Sequence, residues 1–92
     1  MDLRQLRYFA KVVESGSFSK AASQLHVAQP ALSKQVQQFE EDLGLALIER
    51  GSRPVRLTEP GRVIYEQALQ ILERVDDLRE MYSNDLRFIE QF

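Results

Sequence analysis

The chain carries a cluster of polar side chains that could bind an anionic surface. Its members lie within about two turns of one predicted helix and comprise Gln29, Ser33, Lys34 and Gln37. Amide and hydroxyl groups both donate and accept hydrogen bonds, whereas an ammonium group only donates them. The acidic residues of the same helix are confined to its far end, at positions 40 to 42. The N-terminal half of this helix is therefore compatible with a polyanion, and its C-terminal end is not.

Several other kinds of chemistry are excluded by composition. The absence of cysteine excludes a disulfide framework, a thiolate zinc site and a cysteine nucleophile. The single histidine, His26, excludes a multi-histidine metal site, and packing within a turn is the favoured role for it. No nucleophile with a neighbouring base and no phosphate-binding glycine loop is present in the sequence. We therefore expect a protein that is not an enzyme and that holds no metal or cofactor.

The charge balance differs between the two parts of the chain. The whole sequence carries 12 Lys and Arg against 14 Asp and Glu, a net charge of −2 that argues against a nucleic-acid partner. Residues 1–58, however, contain eight basic and six acidic residues, whereas residues 59–92 contain four and eight. The acidity therefore lies in the C-terminal third, and the N-terminal part can present a basic face.

Length and hydropathy limit the architecture and the location. A chain of 92 residues is expected to form one small domain with an appendage, because it is too short to build a deep enzyme pocket. The longest run without charged residues or histidine, residues 27–33, contains Gln, Pro and Ser and is too short to span a membrane. We therefore expect a cytoplasmic protein with no membrane partner.

Apolar spacing divides the N-terminal part into three helices. The first is predicted to run roughly from Leu3 to Glu14 and to end at Gly16, which can adopt a left-handed C-cap conformation. Ser17 is suited to cap the second helix, whose apolar residues extend to Leu25. Two adjacent alanines in this second helix allow another helix to approach closely.

The third helix completes a helix-turn-helix pattern. It is predicted to begin at Gln29-Pro30 and to end at Gly44, because proline is tolerated in a first turn and glycine at a C-cap. Its buried stripe comprises Leu32, Val36, Phe39 and Leu43. A short helix that contains alanines, followed closely by a helix with a polar first turn, is typical of a helix-turn-helix.

A wing and a long helix follow. Two short apolar runs around the turn at residues 51–54 predict a two-stranded wing with Arg53 at its tip. Thr58 is predicted to cap a helix of roughly 45 Å that begins at Glu59. The expected fold class is therefore mainly α: a winged helix-turn-helix over residues 1–58, followed by a linker helix over residues 59–92.

The long helix carries a heptad seam with 4-3-4-3-4 spacing, which comprises Ile64, Ala68, Ile71, Val75, Leu78 and Tyr82. A second stripe beside it comprises Tyr65, Leu69 and Leu72. One stripe can cover the chain's own domain, whereas the other would be exposed to water unless a second subunit covered it. We assign the seam to a homodimer interface.

Six stretches distributed over residues 3–61 resemble the N-terminal DNA-binding domain of LysR-type transcriptional regulators. They are residues 3–9 (LRQLRYF), 14–22 (ESGSFSKAA), 25–35 (LHVAQPALSKQ), 41–44 (EDLG), 49–50 (ER) and 57–61 (LTEPG). The resemblance implies a bacterial regulator that binds double-stranded operator DNA as a homodimer or a higher oligomer. It also implies an inducer that binds a C-terminal effector domain, which is absent from this chain. Residues 49–51 and 53–54 most resemble regulators of aromatic-compound breakdown.

The resemblance also places the third helix in the major groove of DNA. Base contacts are then expected from Gln29, Pro30, Ala31, Ser33 and Lys34. A glutamine can pair with adenine, a lysine with guanine, and apolar side chains with a thymine methyl group. The wing residues Arg53 and Pro54 are expected in a minor groove. Phosphate contacts are expected from Arg4, Ser17, Lys20, Gln37 and Thr58.

Less specific roles stay open for these residues. Gln29 could simply begin a helix, Lys34 could be a solvated charge, and Thr58 could serve only as a cap. A different class of function also stays open: a protein-interaction module in which the long helix binds a partner and the three-helix part is a scaffold. Binding to random genomic fragments separates the two, because a pure adaptor would retain none.

Overall fold

Helices form almost all of the regular structure in this chain. A computed structural model describes residues 1–90, with side chains as far as Tyr82. The helices are α1 (Leu3–Ser15), α2 (Phe18–Leu25), α3 (Gln29–Leu43) and α4 (Glu59–Glu90). These bounds confirm the mainly helical fold and the predicted helix-turn-helix. The predicted end of the last helix at residue 92 lies outside the described residues.

The first two helices begin at side-chain caps. Asp2 Oδ1 accepts a hydrogen bond from the Gln5 amide at 2.8 Å, and Ser17 Oγ accepts one from the Lys20 amide at 3.2 Å. Each bond satisfies an amide that has no partner within its own helix. Gly16 ends α1 in the left-handed conformation, with φ of 74°, which confirms the predicted C-cap.

Helix α1 lies at the centre of the fold and packs against the other three helices. The ring centroid of its fully buried Phe9 lies 5.5 Å from that of Phe39 on α3 and 6.2 Å from that of Tyr65 on α4. Tilted and edge-on aromatic pairs at these separations are favourable. Within the described residues, the backbones of α3 and α4 do not approach each other, so α1 joins them through its side chains.

The two arms of the wing pair antiparallel through a single bridge between Ile48 and Leu57, so the predicted strands are reduced to a minimal pair. The Val55 amide donates to the carbonyl of Gly16 at 2.9 Å, and the Arg56 amide donates to a serine hydroxyl within the turn at 3.1 Å. These two amides therefore bind outside a ladder between the two arms, and a continuous ladder does not form. The two arms of the wing run antiparallel on either side of the turn, as in the predicted hairpin.

Helix α4 extends far beyond the other three. The molecule measures 57 Å along its longest axis but only 26 and 20 Å across. The buried side chains of α4, Ala68 and Leu72, lie in its first half, where it packs on α1. The second half therefore projects as a rod, as the predicted length of this helix requires.

The predicted seam on α4 is divided between two faces. Ala68 is fully buried in the core of its own chain, and Ile64 packs against that core beside Tyr65 and Leu72. The assignment of Ala68 to an interface between subunits is therefore wrong, because heptad spacing does not reveal which stripe packs on the helix's own domain. Of the other members, Val75 is half-buried, and the exposed ones are Ile71, Leu78 and Tyr82.

Candidate nucleic-acid interface

The first turn of α3 has no side-chain cap. Ala28 occupies the N-cap position with extended backbone (φ −71°, ψ 139°), and Pro30 follows in the first turn. The Ala28 carbonyl accepts a hydrogen bond from the Leu32 amide at 3.1 Å, but alanine offers no side-chain oxygen to the amides of this turn. The positive end of the α3 dipole is therefore not offset by a cap, which favours an external anion.

The residues predicted to contact bases lie on the outer side of α3. Ser33 is half-buried, and the exposed members are Gln29, Pro30, Ala31 and Lys34. Within the described residues, the side chains of Gln29, Ser33 and Lys34 take part in no hydrogen bond or ion pair. Their donors and acceptors are therefore available to a partner outside the chain.

A groove between α2, α3 and the wing brings four predicted site residues together: Ser17, Gln29, Arg53 and Pro54. The wing is held beside α2 by the Val55 amide, which donates to the carbonyl of Gly16 at 2.9 Å. Arg53 is exposed, and no carboxylate of the described residues pairs with it. Its guanidinium group is therefore available next to the start of α3.

Two of the predicted phosphate contacts lie at the start of α2. Ser17 lines the groove, and Lys20 is exposed one turn further along the helix. Gln37 is also exposed, but it lines a second groove together with Glu41 and Arg50. Ser17 and Lys20 therefore accompany the base-contact residues, whereas Gln37 lies towards the acidic end of α3. All three phosphate contacts stay predictions.

Arg4 lies apart from the groove between α2, α3 and the wing. It is exposed in the first turn of α1, and the adjacent N-terminal ammonium group donates to Asp42 Oδ2 at 2.7 Å. This contact places the start of α1 beside the C-terminal end of α3. The same bond, together with one from the Gln38 side chain, lowers the pKa of the Asp42 carboxyl below its usual value of 3.8. A phosphate contact by Arg4 stays a prediction.

Thr58 has no hydrogen-bond donor left for a phosphate. Its hydroxyl donates to the Ala46 carbonyl at 2.6 Å and accepts from the Gly61 amide at 3.0 Å, which confirms its predicted role as the cap of α4. Its own amide donates to the Leu47 carbonyl at 3.0 Å. The predicted phosphate contact of Thr58 is therefore wrong, because both of its donors are used inside the domain.

Glu40 is a further important residue, which the sequence pattern alone assigned only to the acidic end of α3. Its side chain is 7% exposed. Glu40 Oε2 accepts from the Leu47 amide at 2.7 Å and from the Ile48 amide at 3.3 Å, and Oε1 accepts from the Arg50 guanidinium at 2.7 Å. The available signal was spacing, because Glu40 lies four residues after the buried Val36 and hence on the core side of α3.

Residues 1–90 contain neither a metal-binding cluster nor a membrane-spanning helix. Among residues 1–90, no group of three or more His, Asp or Glu side chains could hold a metal ion. The sequence contains no cysteine. No helix in that part of the chain is both long and apolar enough to cross a membrane.

Comparison with known proteins identifies the family. A family profile described as "Bacterial regulatory helix-turn-helix protein, lysR family" matches residues 3–62. The chain belongs to the LysR family. The HTH-type transcriptional regulator BenM of Acinetobacter baylyi is 53% identical over 81 residues, which cover 88% of this chain and 27% of BenM. The HTH-type transcriptional regulator CatR of Pseudomonas putida is 51% identical over 73 residues, which cover 79% of this chain and 25% of CatR.

These LysR-family relatives are transcriptional regulators, and the chain spans about a quarter of their length. Solved structures of the family share its fold. The BenM DNA-binding domain in complex with catB site 1 DNA matches with a TM-score of 0.87 and 52% identity, covering 90% of this chain and 89% of that one. The CbnR DNA-binding domain in complex with DNA matches with a TM-score of 0.85 and 40% identity, covering 92% and 98%. These matches confirm the winged helix-turn-helix.

Proposed function

We propose that this chain is the DNA-binding part of a LysR-type transcriptional regulator and that it binds double-stranded operator DNA sequence-specifically. The observation that carries the proposal is the exposed polar face of α3, where Gln29, Ser33 and Lys34 have no partner within the described residues. Such groups complement the base edges of a major groove, which is wide enough to admit a helix. The similar DNA-binding domains of BenM and CbnR, which were solved in complex with DNA, support the proposal.

In this proposal α3 lies in the major groove and the wing beside a minor groove. Gln29 pairs with an adenine, and Lys34 binds a guanine or a phosphate. Arg53, which shares a groove with Gln29, reaches a narrow minor groove rich in A·T pairs. Ser17 and Lys20 contact the phosphate backbone. These contacts position the winged helix-turn-helix on the DNA but do not read its sequence.

A homodimer through α4 accompanies this function. Five exposed apolar side chains of α4 define an outer face, which comprises Val63, Ile71, Leu78, Met81 and Tyr82; the exposed Leu69 lies on another side of the helix. With 3.6 residues per turn, these five positions lie within a sector of about 100° of the helix. A second copy of α4 covers this face and removes it from water. The two heads then address half-sites about one helical turn of DNA apart, or a multiple of that distance.

The proposal also includes the cellular location of the protein and the effector domain of the whole regulator. A bacterial protein that binds operator DNA works in the cytoplasm, and its inducer binds an effector domain outside the described head. The division into a head of residues 1–58 and a linker helix of residues 59–92 stays a prediction, because α4 contributes Ala68 and Leu72 to the core of the head. Membership of the aromatic-catabolism subgroup also stays a prediction.

Selection of bound fragments from a random duplex library tests the proposed function. The wild-type chain should enrich related sequences with two half-sites, which we call the selected duplex. Affinity for the selected duplex should fall steeply with salt, because each Lys or Arg that contacts a phosphate releases counterions. A chain that retains no fragment would instead be a protein-interaction module, which would contradict the proposal.

A pair of glutamine variants tests base reading within the same experiment. Gln29→Ala should reduce the preference for the selected duplex over random DNA. Gln70→Ala removes the same amide from α4, away from the groove that holds Gln29, and should leave the preference unchanged. Equal losses of affinity for both DNAs in Gln29→Ala would contradict base reading by this residue.

A further inference from the structure

One residue, Leu47, is held from both sides by different helices. Its amide donates to Glu40 Oε2 on α3 at 2.7 Å, and its carbonyl accepts from the amide of Thr58, the cap of α4, at 3.0 Å. The side chain of Leu47 is fully buried in the core. A continuous path of hydrogen bonds therefore runs from α3 through Leu47 to the start of α4.

Neighbouring contacts strengthen both ends of this path. On the α3 side, the Ile48 amide donates to the same Glu40 oxygen at 3.3 Å. On the α4 side, the Thr58 hydroxyl donates to a carbonyl of the same segment at 2.6 Å. A Cβ atom added at Gly61 would overlap the Leu47 carbonyl oxygen, so the first turn of α4 lies directly against it.

The other connection between α3 and α4 is indirect and mostly apolar. It also includes one polar contact on each side of α1, from Gln5 Nε2 to Gln35 Oε1 at 3.1 Å and from Arg7 to Asp76 Oδ1 at 3.2 Å. In the described part of the chain their backbones do not approach each other, and both helices pack on α1 through the ring of Phe9. Apolar packing is non-directional, whereas hydrogen bonds weaken steeply when their angle changes. The hydrogen bonds around Leu47 therefore add a directional restraint between α3 and α4 that does not pass through α1.

We infer that Glu40 is a positioning residue, which acts through Leu47 to hold the recognition helix α3 at a set angle to α4. In a dimer joined through α4, this angle determines the separation of the two recognition helices, and hence the half-site spacing that the dimer accepts. The consequence for DNA rests on the proposed function, whereas the angle itself does not. Glu40 contacts no base in this arrangement.

Three substitutions separate positioning from a general effect of charge. Glu40→Ala removes the acceptor of both backbone amides. Glu40→Gln keeps an oxygen in the position of Oε2, which accepts both amides, and replaces Oε1 by an NH2 group that cannot accept from Arg50, whose exposed guanidinium can turn to water. Glu41→Ala removes an exposed acidic side chain from the adjacent position. Glu40→Ala should therefore loosen the angle, while the other two variants should retain it.

A distance measurement tests the angle without DNA. Because the chain contains no cysteine, spin labels can be attached at cysteines introduced at Gln38 on α3 and Gln70 on α4, both of which are exposed. Labelled chain is diluted with unlabelled chain, so that pulsed EPR records distances within one subunit. Glu40→Ala should broaden the distance distribution, and Glu40→Gln and Glu41→Ala should reproduce the wild-type width. An unaltered distribution in folded Glu40→Ala would overturn the inference.

A spacing measurement tests the consequence for DNA. The selected duplex is compared with versions in which one base pair is added or removed between the half-sites. Glu40→Ala should reduce the affinity penalty for the altered spacing about fivefold, equivalent to about 1 kcal/mol, whereas Glu40→Gln should keep the full penalty. A domain that was merely destabilised would lose affinity equally for all three spacings, and that result would overturn the role of Glu40 in spacing.

Two further outcomes separate a failure of the role inferred for Glu40 from a failure of the proposed DNA-binding function. If Glu40→Ala does not fold, Thr58→Val loosens the α4 side of Leu47 by removing both the hydroxyl bond to Ala46 and the cap on the Gly61 amide, and the same broadening is expected. An unaltered distribution in folded Thr58→Val would then overturn the inference. If no duplex is selected, the proposed function fails, while the distance measurement still decides whether Glu40 sets the angle.

Discussion

The two halves of α3 use their polar side chains in opposite ways. In the N-terminal half, Gln29, Ser33 and Lys34 make no hydrogen bond within the described residues. In the C-terminal half, Glu40 accepts three hydrogen bonds and Asp42 accepts two. The polar side chains in the first six residues of α3 are thus available to an external partner, whereas Gln35, which accepts from Gln5 at 3.1 Å, Glu40 and Asp42 hold the domain together.

This division also changes how the three consecutive acidic residues at positions 40 to 42 of α3 affect DNA binding. Glu40 is buried and paired with Arg50, and Asp42 is paired with the N-terminal ammonium group. Of the three, only Glu41 is exposed without an ion pair among the described residues. The C-terminal half of α3 therefore repels DNA less strongly than a count of acidic residues suggests.

The largest predicted effect concerns the C-terminal half. Glu40→Ala should lower the free energy of unfolding by about 2–4 kcal/mol, because the buried Leu47 and Ile48 amides lose their acceptor. Glu41→Ala should change it by less than about 0.5 kcal/mol. Chemical denaturation at one fixed protein concentration measures both, since a dimer's stability depends on concentration. Equal losses in the two variants would remove the distinction between the two halves of α3.

The next prediction concerns the N-terminal half. Gln29→Ala should lower discrimination between the selected duplex and random DNA by about 1–3 kcal/mol, because a bidentate contact to a base is lost. Its free energy of unfolding should stay within about 0.5 kcal/mol of wild type, because Gln29 is exposed. Competition gel-shift assays and denaturation measure the two quantities. A large loss of stability with unchanged discrimination would mean that Gln29 stabilises the domain and does not read the DNA sequence.

A smaller effect is expected from the start of α3. Ala28→Ser should raise the free energy of unfolding by about 0.5–1 kcal/mol, because a serine at this extended position can accept a hydrogen bond from the uncapped first turn. Ser17→Ala is the matched change in the opposite direction. It removes a serine that already caps α2, so it should lower the free energy of unfolding. Thermal or chemical denaturation of both variants tests the contrast. No gain in Ala28→Ser would mean that these amides are already satisfied.

The smallest effect should come from Asp42, which is exposed. Because hydrogen bonds lower its pKa in the folded state, the carboxylate stabilises the fold above its usual pKa of 3.8, and this contribution is lost as pH falls through the lower folded value. Asp42→Asn should therefore be slightly less stable than wild type at neutral pH. The difference should vanish in denaturation experiments well below pH 3.8. A difference that persists in strong acid would exclude this ion pair as its cause.

Helix bounds could be predicted because their signals are local. The Ser17 cap binds an amide three residues away, and Gly16 ends α1 within the same short segment. The Thr58 cap likewise binds the amide of Gly61. Interactions over three or four residues depend little on the rest of the fold. The start and end of each helix in the head therefore followed closely from the sequence.

The remaining features depend on contacts between distant segments. The wing lacks a full ladder because the Val55 amide binds the carbonyl of Gly16, which no local pattern indicates. The heptad spacing on α4 was visible, but the burial of Ala68 depends on where α1 lies. The role of Glu40 depends on the path of residues 46–48. The candidate site was predictable as a set of residue types, whereas the groove shared by Gln29 and Arg53 was not.

The central claim, that the two halves of α3 have different roles, can be tested directly by NMR. Gln29 and Gln38 are nine residues apart, which corresponds to about 13.5 Å along the helix axis, and one lies in each half. On titration with the selected duplex, the Gln29 side-chain resonances should shift, whereas those of Gln38, which binds Asp42, should not. Shifts at Gln38 without shifts at Gln29 would contradict the division of α3 into an N-terminal half that contacts DNA and a C-terminal half that stabilises the domain.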